Sequence, residues 1–149
     1  MLEDRIYQDY IESLKTKDKF KVDFLSFLRA QLKNLSKDLK KEKLDDKEVF
    51  KVLQKQKKRL QELKNQLVSS ERKEALKEIE QELNIIQAYL PEPLTQEELS
   101  EIVNEAIRQT NATSLKDMGR VMREVLSKVG PRVQPQEVSN LVKERLSSR

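Results

Sequence analysis

The sequence predicts an all-α protein, an N-terminal antiparallel helical domain followed by a C-terminal three-helix bundle. Three observations carry that expectation. Only two glycines and four prolines occur in 149 residues, too few for the frequent tight turns of a sheet protein. Leu, Lys, Glu, Gln and Arg, all good helix formers, dominate the composition. Apolar residues recur at steps of three and four, the period of a helix with one buried face.

The first helix is expected over about Leu2 to Lys15, with Leu2, Ile6, Tyr10 and Leu14 as its apolar stripe. Asp18 can cap a second, longer helix carrying Phe20, Phe24, Phe27, Leu28, Leu32, Leu35 and Leu39. So broad an apolar arc suits the central helix of a group, and fraying is expected in Lys40-Lys41-Glu42-Lys43. Asp45 and Glu48 form a variant capping box for a third helix reaching about Val68. Val49, Leu53, Leu60, Leu63 and Leu67 are its expected seam. A break at Ser69-Ser70 supplies a serine cap for the fourth helix, which presents Leu76, Ile79, Leu83, Ile86 and Leu90.

Leu90-Pro91-Glu92-Pro93-Leu94 then stops the helix and stiffens the connection. All seven aromatics, from Tyr7 to Tyr89, precede it. Residues 1–90 are therefore expected to form one helical domain, 91–94 a proline-rich linker and 95–149 a second domain. Thr95 and Glu98 make a capping box for a fifth helix burying Leu99, Ile102, Val103, Ala106 and Ile107 and ending near Asn111. Ser114 is expected to cap a sixth helix through Asp117, and Gly130-Pro131 stops it. Pro135 opens the last helix, burying Val138, Leu141, Val142 and Leu146.

Function is constrained first by what the chain lacks. It contains no cysteine and no histidine, so disulfides, thiol nucleophiles, imidazole bases and the usual zinc sites are excluded. Its eleven serines have no histidine base, and Ser114 with Lys116, or Ser127 with Lys128, stand too close in sequence to face each other on a helix. Carboxylates interleave with lysines as they do on solvated faces, and no glycine-rich phosphate loop occurs. The expectation is a non-catalytic chain without cofactor or metal. No stretch approaches the roughly 20 apolar residues of a membrane span, and MLEDRIYQDY has the character of neither a signal nor a transit peptide. A cytoplasmic protein with no membrane partner is expected.

The net charge is +4, and residues 1–90 hold all of that excess, with 21 Lys/Arg against 17 Asp/Glu. Two basic faces stand out. Lys47, Lys51, Lys55 and Lys58 line one side of the third helix, opposite its apolar seam. On the sixth helix Lys116, Arg120 and Arg123 fall within roughly 60° of one another, opposite Met118, Val121, Met122, Val125 and Val129. Asp117 and Glu124 flank that stripe, and Lys128 and Arg132 extend it. Arginine suits phosphate because its planar fork donates two parallel hydrogen bonds. Without aromatics for base stacking after residue 90, a folded RNA read by its backbone fits better than a single strand.

AYLPEPLTQEEL, KDMGRVMREV and VSNLVKERL, with VLQKQKKRLQE of the third helix, resemble the YqeY family. The C-terminal part of that family is similar to the tail of GatB, one component of the tRNA-dependent amidotransferase (the GatB/YqeY domain). The resemblance spans nearly the whole chain and implies an N-terminal helical domain with a C-terminal three-helix domain. In the amidotransferase the similar tail helps hold tRNA, while other parts use glutamine to amidate misacylated glutamyl- or aspartyl-tRNA. By position, the lysine of the family's Asp-Met-Gly-Lys motif falls on Arg120, and Gly119 keeps its place. Relatives often continue Lys-Gly-Arg-Ala-Asp-Gly, where this chain has Gly130-Pro131-Arg132-Val133-Gln134-Pro135. Arg132 is retained, both expected glycines are prolines, and the acid is glutamine.

These readings combine into an accessory tRNA-binding protein using Lys116, Arg120, Arg123, Lys128 and Arg132, with the third-helix lysines as a secondary face. Amidotransferase or other translation-related proteins are the protein partners that the resemblance implies. Two alternatives remain: a helical protein-interaction module docking through its seams or an exposed Met118/Met122 edge, and an auxiliary part of a glutamine-dependent amidotransferase (carbon–nitrogen ligase) complex. Gly119 also has a packing explanation, as a small residue that lets two helices approach.

Overall fold

The computed structural model describes residues 1–68 and 72–148, and every regular element among them is helical. Seven α-helices follow in order: α1 (Leu2–Lys15), α2 (Lys19–Leu39), α3 (Asp46–Leu67), α4 (Lys73–Tyr89), α5 (Gln96–Thr110), α6 (Met118–Val129) and α7 (Pro135–Ser147). Two 3-10 turns, Leu115–Asp117 and Gly130–Arg132, flank α6. The chain divides into two compact units, Met1–Leu90 and Pro91–Arg149, each closed around its own apolar core.

Local chemistry sets the helix ends. Asp18 accepts from the Lys21 amide at 3.2 Å and opens α2. Asp45 and Glu48 close a reciprocal capping box on α3, and Thr95 and Glu98 do the same for α5, so each start satisfies backbone N–H groups that have no helical partner. Rather than fraying, α2 stops at Lys40, which adopts left-handed backbone; its amide donates to the Lys37 carbonyl and the Lys41 amide to the Ser36 carbonyl. Asn111 ends α5 in the same way, a conformation asparagine tolerates better than most residues. The expected break at Ser69-Ser70 lies outside the described residues, but the expected serine cap does not hold: α4 starts after Arg72, which makes no side-chain cap.

In the first unit α3, not α2, is the central helix, packing against α1, α2 and α4. Val49, Leu53 and Leu60 are buried on it, with Leu63 and Leu67 half-buried at the edge. Gln56 lies in the same seam, buried, and accepts from Arg59 Nε at 2.8 Å. The broad arc of α2 is only partly covered: Phe24, Leu25, Leu28 and Leu32 are buried, but Phe27 is 36% and Leu39 43% exposed. On α1 the expected stripe ends early, because Leu14 is 47% exposed while Ser13 is buried. A step of four residues advances about 40° too far around a helix. Three such steps swing Leu14 off the face that Leu2 and Ile6 occupy, and Ser13 takes its place, its hydroxyl donating to the Tyr10 carbonyl. The start of α1 is tied to the start of α3, where the Leu2 amide donates to Asp46 Oδ1 at 2.9 Å and Glu3 accepts from the Leu44 amide at 2.8 Å. The Tyr89 hydroxyl donates to Asp9 at 2.5 Å and anchors the end of α4 on α1.

In the second unit Leu99, Val103, Ala106 and Ile107 of α5 meet Val121, Val125 and Val129 of α6 and Val138, Val142 and Leu146 of α7. Ile102 and Leu141 pack at the edge, half-buried. Arg145 bridges α7 to α5 through Asn104 Oδ1 at 2.7 Å and Ser100 Oγ at 3.2 Å.

Candidate nucleic-acid interface

The candidate site of the second unit lies on and around α6, and its orientation follows from the core. Val121, Val125 and Val129, at i, i+4 and i+8, are almost wholly buried. Met118 and Met122 pack half-buried beside them, so these methionines belong to the core margin and form no exposed docking edge. With that face occupied, Arg120 and Arg123 project into solvent.

The five basic residues are not equivalent. Lys116 stands on the 3-10 turn that Ser114 caps, one element before α6 begins, and is exposed. Arg120 pairs with Asp117. Lys128 reaches Glu124 at 3.4 Å and Gln109 of α5 at 3.3 Å. Arg132 folds back over the end of α6 and donates to the carbonyls of Val129 at 3.2 Å and Lys128 at 3.0 Å. The acids Asp117 and Glu124 therefore do more than flank the stripe: each neutralises one of its members. Lys116 and Arg123 are left without an ion pair among the described residues. Arg120 and Arg123 share one exposed side of α6, whereas Arg132 is committed to capping.

Asp117 organises the start of this site. Its carboxylate accepts from the amides of Thr113 at 2.8 Å and Ser114 at 3.2 Å and from Arg120. The Thr113 amide, Arg120 and the Ser114 amide together hold its pKa at about 2, below the usual 3.8. Next to it, Gly119 faces open space: among the described residues, a Cβ there would meet no atom within 4 Å. Helix packing therefore does not require this glycine. Left-handed backbone is needed instead at Gly130, with φ of +54°. Pro131 and Pro135 occupy positions compatible with their fixed φ, in a 3-10 turn and at the first position of α7.

On the first unit, Lys47, Lys51, Lys55 and Lys58 are all exposed on α3, and none forms an ion pair among the described residues. Glu48, next to Lys47 in the chain, is engaged elsewhere and holds Lys41 at 2.7 Å. Composition and spacing gave both basic faces; the pairing that disables part of one could not be read without the side-chain positions.

A family model described as "Yqey-like protein" matches residues 3–146, nearly the whole chain. The chain belongs to the YqeY family. A search among curated proteins returned no match. The YqeY match takes in both units, the α3 lysines as well as the α6 stripe. No cluster of three or more acidic, histidine or cysteine side chains suited to a metal occurs among the described residues. No helix among them is long and apolar enough to cross a membrane.

Proposed function

We propose that this YqeY-family chain is a non-catalytic accessory protein that binds tRNA, and that Lys116, Arg120 and Arg123 meet its phosphates. The observation that carries this reading is the burial of Val121, Val125 and Val129, which turns Arg120 and Arg123 of the family-matched segment outward. An exposed i, i+3 ion pair such as Arg120–Asp117 contributes little, roughly 0–1 kcal/mol, so Arg120 can exchange its carboxylate for a phosphate at small cost. Gly119 adds support, since a glycine that packs against nothing leaves the first turn of α6 open to close approach. Arg132 and Lys128 contribute less directly, the first by completing the end of α6 and the second at the edge of the stripe. The α3 lysines supply a separate, sequence-independent attraction.

Titration of the full chain with bulk tRNA at low and high salt tests this. Saturable binding that weakens steeply with salt is expected, because each phosphate contact releases condensed counterions. Arg123→Glu with Lys116→Glu is the sharper variant, since neither residue forms an ion pair among the described residues, whereas Arg120→Glu would set two carboxylates against each other. The double variant should bind about tenfold or more weakly with a shallower salt slope and an unchanged helical spectrum. Undiminished affinity would remove α6 from the interface.

A further inference from the structure

A second surface, on the first unit, has the opposite character. α2 and α4 both flank α3 in the packing of this unit, and a groove of about 500 Å³ is lined by residues of all three. Phe20, Phe24 and Phe27 come from α2, Leu60 and Leu63 from α3, and Ile79 from α4. The phenylalanines follow one another at i, i+4 and i+7 and are three of the chain's four. Phe24 and Phe27 stack with ring centroids 6.3 Å apart, and Phe27 is the exposed member.

The rim is acidic. Asp23 of α2 and Glu78 and Glu82 of α4 line the groove together with a single cation, Arg59. Arg59 is already engaged, donating to Gln56 and standing 5.4 Å from the centre of the Phe27 ring. Glu82 is half-buried, and no ion pair closes on it among the described residues. Burial raises its pKa above the usual range and Glu78 adds to the rise, while Arg59 opposes it. A half-desolvated carboxylate beside a second one is a place where an incoming cation is stabilised.

We propose that this groove is a docking site for a cationic amphipathic helix of a partner protein, seating Leu or Phe side chains against Phe24, Phe27 and Ile79 and a Lys or Arg between Glu78 and Glu82. The shape argues for a helix: residues i to i+7 of α2 extend over about 10 Å, two helical turns, matching the i, i+3/i+4, i+7 anchors by which helices enter apolar grooves. The charge argues against nucleic acid, whose phosphates the three carboxylates repel. This surface is thus independent of the basic faces assigned to tRNA.

The probe is a fluorescein-labelled helical peptide of about four turns, with Leu at i, i+3, i+4 and i+7 and Arg flanking them, titrated against the full chain. A control peptide has Glu in place of every Arg. Saturable binding of the Arg peptide is expected, with the Glu peptide at least tenfold weaker. Phe27→Ser should weaken the Arg peptide tenfold or more. Glu78→Lys with Glu82→Lys should reverse the preference, so that the Glu peptide binds better than the Arg peptide. All of these side chains are exposed or half-exposed, and circular dichroism checks that each variant keeps its helices. Failure of the Arg peptide to bind, equal binding of both peptides, or indifference to Phe27→Ser would overturn the proposal. So would a loss of bulk tRNA binding in Phe27→Ser, which would assign the groove to RNA.

Discussion

Asp117 joins three pieces of the second unit: the end of the α5–α6 connection, the 3-10 turn and the exposed face of α6. Its carboxylate ionises at about 2 in the folded protein against an ordinary 3.8. A lowered folded-state pKa means that the charged form stabilises the fold above the unfolded value and that this contribution fades as pH falls through the folded one. The second unit should therefore lose stability between about pH 4 and pH 2, and Asp117→Asn should flatten that part of the profile. Thermal melts across this range, read beside an NMR titration of the Asp117 carboxyl, check it; an unaltered slope in the variant would assign the acid sensitivity elsewhere. Asp117 was legible in the sequence as a flanking acid of the basic stripe. That it holds Arg120 was not, because rotamers of both side chains decide it.

At the scale of the element, α6 has an ending as well defined as its start. Gly130 takes φ of +54° and ψ of −135°, backbone that an L side chain adopts only under strain of about 1–3 kcal/mol. Gly130→Ala should accordingly lower the stability of the second unit by about that amount, measured by chemical denaturation, although no neighbour would clash with the added methyl. A neutral outcome would mean that the turn re-forms in another conformation. Helix starts were the most legible features of the chain, since Asp18, Asp45, Thr95 and Ser114 all cap within three residues of themselves. Ser114 differs only in opening a 3-10 turn before α6. Apolar faces were legible in their centres and not at their edges. Leu14 and Phe27 show why: a helical repeat says which residues share a face, while the width of the covering neighbour decides how much of that face is buried.

At the scale of the whole molecule, each unit has its own apolar core. The core of the second unit draws solely on residues after the prolines, from Leu99 to Leu146. A fragment of residues 91–149 should consequently fold alone, with the modest stability of a few kcal/mol typical of domains near 60 residues. A cooperative thermal transition in its far-UV circular dichroism is the expected result; a sloping, uncooperative trace would show that the first unit is needed to hold it together. The division also separates chemistry. The first unit bears the α3 lysine ridge and the acid-rimmed groove, and the second bears the α6 stripe.

By itself, the sequence determined the all-helical class, the caps at Asp18, Asp45, Thr95 and Ser114, the Pro91–Pro93 interruption and the two basic faces, and it carried the motifs of the YqeY family. The caps, the interruption and the basic faces depend on residues within a few turns of each other, so spacing alone exposes them. Only the tertiary structure decided that α3 is the central helix of its unit, that Phe27 is left uncovered in a groove that Glu82 also lines, and that, among the described residues, Gly119 packs against nothing and Arg120, Lys128 and Arg132 are engaged while Lys116 and Arg123 are free of ion pairs. Each of those outcomes depends on which helix lies alongside or on how a long side chain turns, and neither is encoded in the spacing of residues along a single helix.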